Sequence, residues 1–250
     1  MNPRTQPWQD LDKAIVVAGH AVYVGEDFLA PDRDENWWLQ SFQGGEPPFY
    51  LEHIRCGVEL AAAQPRSLLI FGGGQTRLEA GPRSEGQSYW ALADHFAWWR
   101  KAGVRDRATT EEFGRDSLEN IFFGLARFRE ATGHYPTSLE LVGWAFKRER
   151  FDFHRQTARW PGNDHYRYHG VNNPVDLEGA LRGEARALAE FRQDPFATEG
   201  ELLEKRTQRN PFRRQNPYAL SCPEMAALLR HQTADGREFK GPLPWDGLAG

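Results

Sequence analysis

The sequence is poor in cysteine and contains no long apolar run. Its 250 residues include two cysteines, Cys56 and Cys222, and neither has a second cysteine nearby. This excludes a disulfide-stapled scaffold and a cysteine zinc knuckle, so we expect two reduced, structural thiols. Because no apolar run is long enough to cross a bilayer or to form a signal region, we expect no transmembrane segment and a cytoplasmic location.

The chain also lacks an excess of positive charge. It carries 31 lysine and arginine residues against 35 aspartate and glutamate residues, a formal net charge of -4. A protein whose main partner is nucleic acid or an anionic membrane needs a broad positive surface. Nucleic acid is therefore excluded as a main partner, and any site for an anion must be local.

Several catalytic signatures are absent. The sequence contains no complete G-x-G-x-x-G, no G-x-x-x-x-G-K-[ST] and no G-x-S-x-G. These absences argue against a dinucleotide fold of the usual type, a P-loop NTPase and a serine hydrolase. His165 and His169 stand four residues apart, but in a strand or turn that spacing holds them roughly 13 Å apart, so no metal site is predicted.

Short apolar runs alternate with longer helical patterns over most of the chain. Strands are predicted at residues 14–19, 67–74, 108–111, 138–144 and 166–171. This alternation is typical of a mostly parallel sheet with helices on both faces, a Rossmann-like three-layer α/β fold. We predict that residues 1–172 form this core domain and that residues 173–250 form a helical C-terminal extension packed on it.

Two helices have recognisable ends in the sequence. Ser84 with Gln87 and Asp116 with Glu119 have the spacing of capping boxes, which predicts helices that begin there. The first helix is expected to reach about Trp99. The second is expected to stop at Gly133, because glycine readily adopts the left-handed conformation that ends a helix.

Glycine, polar and basic residues follow the predicted strands at their carboxyl ends, where open parallel sheets bind ligands. Gly19 and His20 follow the first strand, and "GGGQTRLEAGPRSEG", with Gly72, Gly73 and Gly74, follows the second. Glycines let main-chain amides approach an anion, and the helix behind them adds a partial positive charge. Arg77 would strengthen such a site. The alternative is that the three glycines only form a turn.

The stretch "AFKRER" breaks a local rule. Lys147, Arg148 and Arg150 are expected in the first turn of a helix, where the macrodipole disfavours cations. Such conflicts often mark functional sites, and a bound phosphate, carboxylate or sulfate would neutralise this one. The alternative is that these side chains extend into solvent or pair with Glu149 and Asp152.

The order of "VVAG", "LIFGGGQTR", "SEGQSYW", "RDSLEN" and "LELVGWAFKRERF" resembles the family labelled domain of unknown function 218, which includes the SanA, ElyC and YdcF proteins. The resemblance covers roughly residues 13–170 and is nearer to a cytosolic, fungal-type branch. The matching residues are Gly19, Gly73, Gly74, Ser84, Glu85, Asn120, Lys147 and Arg148. Gly86 replaces the usual alanine, and Leu118 or its neighbour replaces a common threonine, which leaves Ser117 as the hydroxyl.

The resemblance implies a Rossmann-like fold but no defined reaction. One member implies S-adenosylmethionine as a cofactor. Among the matched residues, Glu85 is a candidate general base or ribose ligand, or else a carboxylate that favours the helix dipole. His20 is a candidate acid or base near neutral pH, or else a structural histidine. Asn120 would hold a carbonyl or phosphate, or else continue the helix cap.

Together these residues predict a protein that binds an anionic or nucleotide-like small molecule, either a phosphate-containing metabolite or S-adenosylmethionine. The glycine loop, Arg77, Ser84, Ser117, Asn120, Lys147 and Arg148 would hold it. Whether the protein is an enzyme stays open. The candidate enzyme classes are a transferase or a hydrolase that acts on a phosphorylated or nucleotide-linked substrate. The alternative is a non-catalytic scaffold whose Trp37–Trp38 insertion and helical tail bind a protein partner. The exposure of the two tryptophans distinguishes these hypotheses.

Overall fold

The computed structural model describes residues 8–249, so residues 1–7 and 250, the outer ends of the two predicted domains, lie outside it. The strands are β1 (Lys13–Ala18), β2 (Val22–Tyr23), β3 (Trp37–Trp38), β4 (Ser67–Gly72), β5 (Ala108–Glu111), β6 (Ser138–Gly143) and β7 (Tyr166–Gly170). The α-helices are α1 (Pro47–Ala63), α2 (Glu85–His95), α3 (Ser117–Thr132), α4 (Arg148–Thr157), α5 (Leu177–Gln193), α6 (Gly200–Gln208), α7 (Tyr218–Ser221) and α8 (Ala226–Leu229). Within the described range, no helix is both long enough and apolar enough to span a membrane.

Five of the strands form one sheet in the order β5-β4-β1-β6-β7. Every neighbouring pair in it is parallel. From β1 the chain moves outwards to β4 and β5, then returns to the other side of β1 with β6 and β7. The reversal leaves a crevice at the carboxyl ends of β1 and β6, the usual ligand position in such sheets. The predicted Rossmann-like α/β class is confirmed.

The central strands are apolar on both faces because helices cover both faces. Alternate residues of β1 and β4 point to opposite sides of the sheet. Ile15, Val17, Leu69 and Phe71 belong to one apolar core, and Ala14, Val16, Leu68 and Ile70 belong to the other. The first core includes buried residues of α1 and α2, and the second includes those of α3 and α4. The three layers therefore follow from continuous apolar runs in the strands.

The predicted end of α2 is wrong by about one turn. The helix ends at His95 rather than near Trp99, because residues 97–100 all have φ between 48° and 59°. In this left-handed stretch the indole of Trp98 is buried and donates to Oδ1 of Asp94 at 2.9 Å. Tertiary packing of one large side chain thus ends the helix. The predicted end of α3 is confirmed, with Gly133 at φ 91°.

The segment after residue 173 is mainly helical and packs against the α3 and α4 side of the sheet. Tyr218, Leu228 and Trp245 belong to the same apolar core as residues of β1 and β6. The hydroxyl of Tyr218 donates to Oε1 of Glu111 at 2.8 Å, although the two residues are 107 positions apart. This segment therefore shares a core with the sheet.

The long insertion after β1 folds over the carboxyl edge of the sheet. Its two short strands, β2 and β3, pair antiparallel, with Tyr23 opposite Trp37. The indole of Trp37 is buried and donates to the carbonyl of Pro31 at 2.8 Å. Trp38 is half-buried, and the guanidinium of Arg77 lies 4.8 Å from its ring centroid. The insertion thus forms one wall of the region where β1 ends.

Candidate functional site

A cavity of about 160 Å³ lies at the carboxyl ends of the central strands. Eight of the residues predicted from the sequence line it: Gly19, His20, Gly73, Arg77, Glu85, Ser117, Asn120 and Lys147. The insertion adds Gln40, Phe42 and Gln43, and the C-terminal segment adds Arg209. The cavity therefore joins four strand ends, the insertion and the C-terminal segment in one place.

Four predicted site residues do not line this cavity. Gly72 is the last residue of β4, paired with Ala18 and Glu111 in the sheet. Gly74 borders a neighbouring cavity of about 350 Å³. Ser84 is buried and caps α2, its hydroxyl accepting from the amide of Gln87 at 2.9 Å. The fourth, Arg148, is exposed to solvent.

The glycine loop has a different role from the predicted anion cradle. The amides of Gly19, Gly73 and Gly74 donate to main-chain carbonyls at 2.7, 3.0 and 2.7 Å. The carbonyls of Gly73 and Gly74 in turn accept from the first amides of α2, at 3.0 and 3.1 Å. The loop therefore caps α2, and the amides expected to hold an anion are already occupied. A ligand in the cavity would have to be held by side chains.

Glu85, the first residue of α2, packs directly against the glycines. A Cβ atom at Gly19 or Gly73 would lie 2.6 Å from atoms of Glu85 or of the adjacent main chain, and Gly73 has φ +134°. Oε1 of Glu85 accepts from the hydroxyl of Thr76 at 2.6 Å. Burial raises the pKa of the Glu85 carboxyl, opposed by this hydrogen bond and by Arg77. Glu85 is thus a buried carboxyl beside the cavity with a raised affinity for a proton.

His20 lies against a group of aromatic rings. Its ring stacks on Trp144 with centroids 5.7 Å apart and meets His53 edge-on at 5.2 Å. Burial lowers the pKa of His20 well below 6.5, and Lys147 lowers it further. The imidazole is therefore neutral at neutral pH. Its Nε2 is buried and has no hydrogen-bond partner among residues 8–249.

Three cationic side chains, Arg77, Lys147 and Arg209, face the cavity without an ion-pair partner in the described part of the chain. Each is half-buried. The guanidinium of Arg77 donates to the carbonyl of Thr76 at 3.1 Å, and that of Arg209 donates to the carbonyl of Arg115 at 3.0 Å. Main-chain carbonyls satisfy hydrogen bonds but do not neutralise charge. The buried carboxyl of Glu85 interacts electrostatically with all three cations, so the three cations outnumber the acidic group that they share.

Lys147 shows this imbalance most clearly. Burial lowers the pKa of its ammonium to about 8, and Arg150 lowers it further. Glu184 and Glu46 oppose this shift, but both are engaged elsewhere. Glu184 pairs with Arg150 at 2.7 Å, and Glu46 accepts from the hydroxyl of Tyr50 at 2.5 Å. Nζ of Lys147 lies 5.5 Å from the ring of Phe146, its own neighbour.

Two further cations line the cavity in ion pairs. Arg150 pairs with Glu184, and Arg115 pairs with Glu119. Arg150, rather than the predicted Arg148, faces the cavity because it lies three residues after Lys147, on the same side of the helix start. The guanidinium of Arg148 instead lies 5.3 Å from the ring of Tyr168, outside the cavity. The three-residue spacing in "KRER" is the signal that finds Arg150.

Similarity to known proteins extends over most of the chain. The uncharacterized protein YOR238W of Saccharomyces cerevisiae (strain ATCC 204508 / S288c) is 27% identical over 84% of this chain and 88% of its own length. No family model matches the chain, and no solved structure matches it. What the cavity does must therefore be argued from its own residues.

Ser117 and Asn120 lie at the start of α3, on the floor of the cavity. The N-cap residue Asp116 accepts from the amide of Glu119 at 2.9 Å, which fixes the first turn of the helix. The hydroxyl of Ser117 lies 2.7 Å from Nε2 of His154 in α4. Oδ1 of Asn120 is buried without a hydrogen-bond partner among the described residues. A hydroxyl, an amide and several cations thus meet within one small volume.

Sequence reasoning missed His154, Arg115 and Arg209. Arg115 directly precedes the cap residue Asp116 after β5, in "RDSLEN", so its position at a strand end is visible in the sequence. His154 sits on the buried face of α4, where a histidine in "RFDFHRQ" has no distinguishing pattern. Arg209 comes from the C-terminal segment, which reaches the cavity only through the tertiary fold.

Proposed function

We propose that the chain binds a small molecule carrying a phosphate group in the cavity at the carboxyl ends of β1, β4 and β6. One observation carries the proposal: Arg77, Lys147 and Arg209 surround one cavity without carboxylate partners in the described part of the chain. Holding unpaired charges together in a partly desolvated place is unfavourable unless a ligand compensates them. A phosphate dianion neutralises more than one cation and matches the donor geometry of guanidinium groups.

The charge of the site favours phosphate over S-adenosylmethionine. The sulfonium of S-adenosylmethionine is cationic, and the cations around the cavity would repel it. The acidic residues that line the wall do not offset this, because Asp116 is paired with Arg206 and burial raises the pKa of Glu85. We therefore propose a phosphate ester as the ligand class.

The size of the cavity limits how much of the ligand is enclosed. Its volume of about 160 Å³ is smaller than the roughly 300 Å³ at which drug-sized pockets begin. A phosphate group with a short part of its ester fits this space. The remainder of a larger ligand would extend towards the neighbouring cavity beyond Arg115 and Arg209, which border both spaces.

We also propose that the chain belongs to the family labelled domain of unknown function 218. Of the eight residues on which that resemblance depends, five line the cavity: Gly19, Gly73, Glu85, Asn120 and Lys147. Two others, Gly74 and Ser84, cap α2 beside it. Residues distant in sequence thus serve one region, as a shared family site requires. A cytoplasmic location stays a prediction.

Trp37 and Trp38 of the insertion expose little aromatic surface for the protein partner of the scaffold alternative. Trp37 is 4% exposed, and Trp38 is partly covered by Arg77. The C-terminal segment, the other suggested docking element, contributes Arg209 to the cavity. Both elements therefore act as walls of the site.

Calorimetric titration with inorganic phosphate, phosphate monoesters and S-adenosylmethionine tests the proposed function. Removing one charge-assisted contact costs about 1.5–3 kcal/mol, so Lys147→Ala and Arg209→Ala should each weaken phosphate binding about 10- to 100-fold. Arg148→Ala is the matched control, because Arg148 follows Lys147 directly but lies outside the cavity. Absence of phosphate binding, or equal losses in Lys147→Ala and Arg148→Ala, would contradict the proposal.

A further inference from the structure

A serine hydroxyl in the cavity is hydrogen-bonded to a buried histidine. Oγ of Ser117 lies 2.7 Å from Nε2 of His154, and Nη1 of Arg150 donates to the same oxygen at 2.5 Å. Ser117 lines the cavity together with Lys147 and Arg150, while His154 lies behind it, fully buried in α4. The serine is therefore the member of the pair that a ligand meets.

The guanidinium fixes the direction of one of these two hydrogen bonds. Arg150 can only donate, so the hydroxyl oxygen accepts from it. Nε2 of His154 accepts the hydroxyl hydrogen in the tautomer that carries the imidazole proton on Nδ1. Burial lowers the pKa of His154 well below 6.5, with Arg150 lowering it further. The neutral imidazole in that tautomer can take the serine proton at Nε2.

Packing rather than a carboxylate holds the imidazole in place. The ring of Phe191 meets it edge-on at 4.3 Å, and Phe151 and Phe153 also contact it edge-on. Nδ1 has no hydrogen-bond partner among residues 8–249. Asp116, whose charge influences His154, is engaged with Arg206 at 2.7 Å. The arrangement is a serine and histidine pair without the third member of a triad.

We propose that Ser117 is a catalytic nucleophile that receives a phosphoryl group, with His154 as its general base. The proposal rests on the phosphate binding proposed above. Oγ of Ser117 forms a bond to phosphorus while the bond from phosphorus to the leaving oxygen breaks. The hydroxyl proton passes to Nε2 of His154, and the leaving oxygen takes a proton from water in the cavity.

A water molecule completes the reaction. Its oxygen attacks the phosphorus of phosphorylated Ser117, the bond from phosphorus to Oγ breaks, and the attacking water releases one proton to the surrounding water. The proton held on Nε2 of His154 returns to Oγ, which restores the hydroxyl, and inorganic phosphate is released. The sum is hydrolysis of a phosphate ester by water, with no other reactant.

The surroundings of Ser117 suit the charge that such a step develops. Arg150 donates to the oxygen that attacks phosphorus and is held there by Glu184, through bonds of 2.7 and 2.8 Å. Lys147 and Arg209 face the same cavity and would stabilise the transferred group. Ser117 is also the first residue of α3, at the positive end of the helix dipole. The missing nucleophile-elbow motif is therefore compatible with a serine nucleophile at a different place in the fold.

Oxygen exchange between inorganic phosphate and ¹⁸O-water tests the step without knowledge of the natural substrate. Reversal of the hydrolysis joins phosphate to Ser117 and releases water, so each cycle introduces ¹⁸O into phosphate, which mass spectrometry detects. Acid quenching followed by peptide mass spectrometry would locate the phosphoryl group on Ser117. Ser117→Ala should abolish exchange, and His154→Gln should slow it about 10²- to 10⁴-fold.

Controls separate catalysis from folding and binding. Ser221→Ala and His95→Gln, at exposed positions, should exchange at the wild-type rate. Ser117→Thr keeps the hydroxyl and should retain measurable exchange. Calorimetry should detect phosphate binding in Ser117→Ala and His154→Gln, and thermal unfolding should show that both are folded.

Two results would overturn the assignment of Ser117 as the nucleophile, and a third concerns the proposed function on which that assignment rests. Exchange that survives in folded Ser117→Ala, or wild-type protein that binds phosphate without exchanging it, would overturn the nucleophile and leave phosphate binding intact. Wild-type protein that does not bind phosphate would contradict the proposed function itself, and the nucleophile with it.

Discussion

At the scale of single residues, two adjacent basic residues differ in where they lie: one lines the cavity and the other is on the surface. Lys147 faces the cavity, whereas Arg148 lies over the ring of Tyr168, outside the cavity. The basic run in the sequence predicts cations beside the cavity, but composition alone does not say which of them face it. The 100° turn between successive helical residues makes that choice, and it selects Lys147 and Arg150.

The lowered pKa of Lys147 predicts how phosphate binding depends on pH. The folded pKa is about 8, so the ammonium loses its proton as the pH rises through 8, and affinity should fall about 10-fold between pH 7 and 9.5. Lys147→Arg keeps its charge in this range and should bind with little change. The ratio of the wild-type affinity to the Lys147→Arg affinity, both measured by calorimetry, cancels the effect of phosphate ionisation, because that effect is the same for both proteins. A constant ratio would contradict the prediction.

Protonation of Lys147 also affects stability, with the opposite sign. Its pKa is lower in the folded than in the unfolded chain, so between about pH 8 and 10.5 the unfolded chain binds more protons. The contribution of Lys147 to the free energy of unfolding therefore rises with pH in this window. Stability without ligand and affinity for phosphate thus change in opposite directions, which is typical of a residue placed for binding.

At the scale of elements, the connection from β4 to α2 is a capping structure. Gly73 and Gly74 offer their carbonyls to the first amides of α2, and Ser84 accepts from the third. The same connection places Glu85 at the edge of the cavity. The glycine-rich segment thus serves the site by positioning a helix, since its own amides are occupied.

This role leads to a prediction for Ser84. Because its hydroxyl caps α2 and does not line the cavity, Ser84→Ala should lower the free energy of unfolding by about 1 kcal/mol. Phosphate affinity should stay within twofold of wild type. Urea unfolding and calorimetry measure the two quantities. A large loss of affinity with unchanged stability would show instead that Ser84 is a ligand-binding residue.

Much of the element structure can be predicted from the sequence, because the signals are local. Apolar runs locate the strands, and the boxes at Ser84 and Asp116 locate the starts of α2 and α3. The end of α2 escapes prediction, because it depends on the packing of Trp98. A packing contact between different elements leaves no pattern in the local sequence.

At the scale of the whole molecule, the C-terminal segment is joined to the sheet by polar as well as apolar contacts. Arg206 pairs with Asp116 at 2.7 Å, and Tyr218 donates to the buried carboxyl of Glu111. Arg209, from the same segment, lines the cavity. The strand-end half of the site is predictable from sequence, whereas Arg209 and His154 are not, because only the tertiary fold brings them there.

Tyr218→Phe tests how strongly this segment stabilises the fold. The substitution keeps the ring in the apolar core but removes the hydroxyl that donates to Glu111, leaving a buried carboxyl oxygen with one donor fewer. The free energy of unfolding should fall by about 1–3 kcal/mol in urea unfolding. Tyr135→Phe is the control, since its hydroxyl makes only a long contact of 3.5 Å with Glu224. Equal effects of the two substitutions would contradict the prediction.

The position of β1 in the middle of the sheet has a consequence for protein synthesis. β1 leaves the ribosome first, and β4 can pair with one of its edges, but β6 follows β1 by roughly 125 residues. At about 5–20 residues per second, the second edge of this apolar strand waits about 6–25 s for its partner. During that interval the nascent chain exposes a strand edge that invites pairing with other chains. The strand order that creates the crevice therefore also sets the period during which this edge is exposed and chaperone binding matters most.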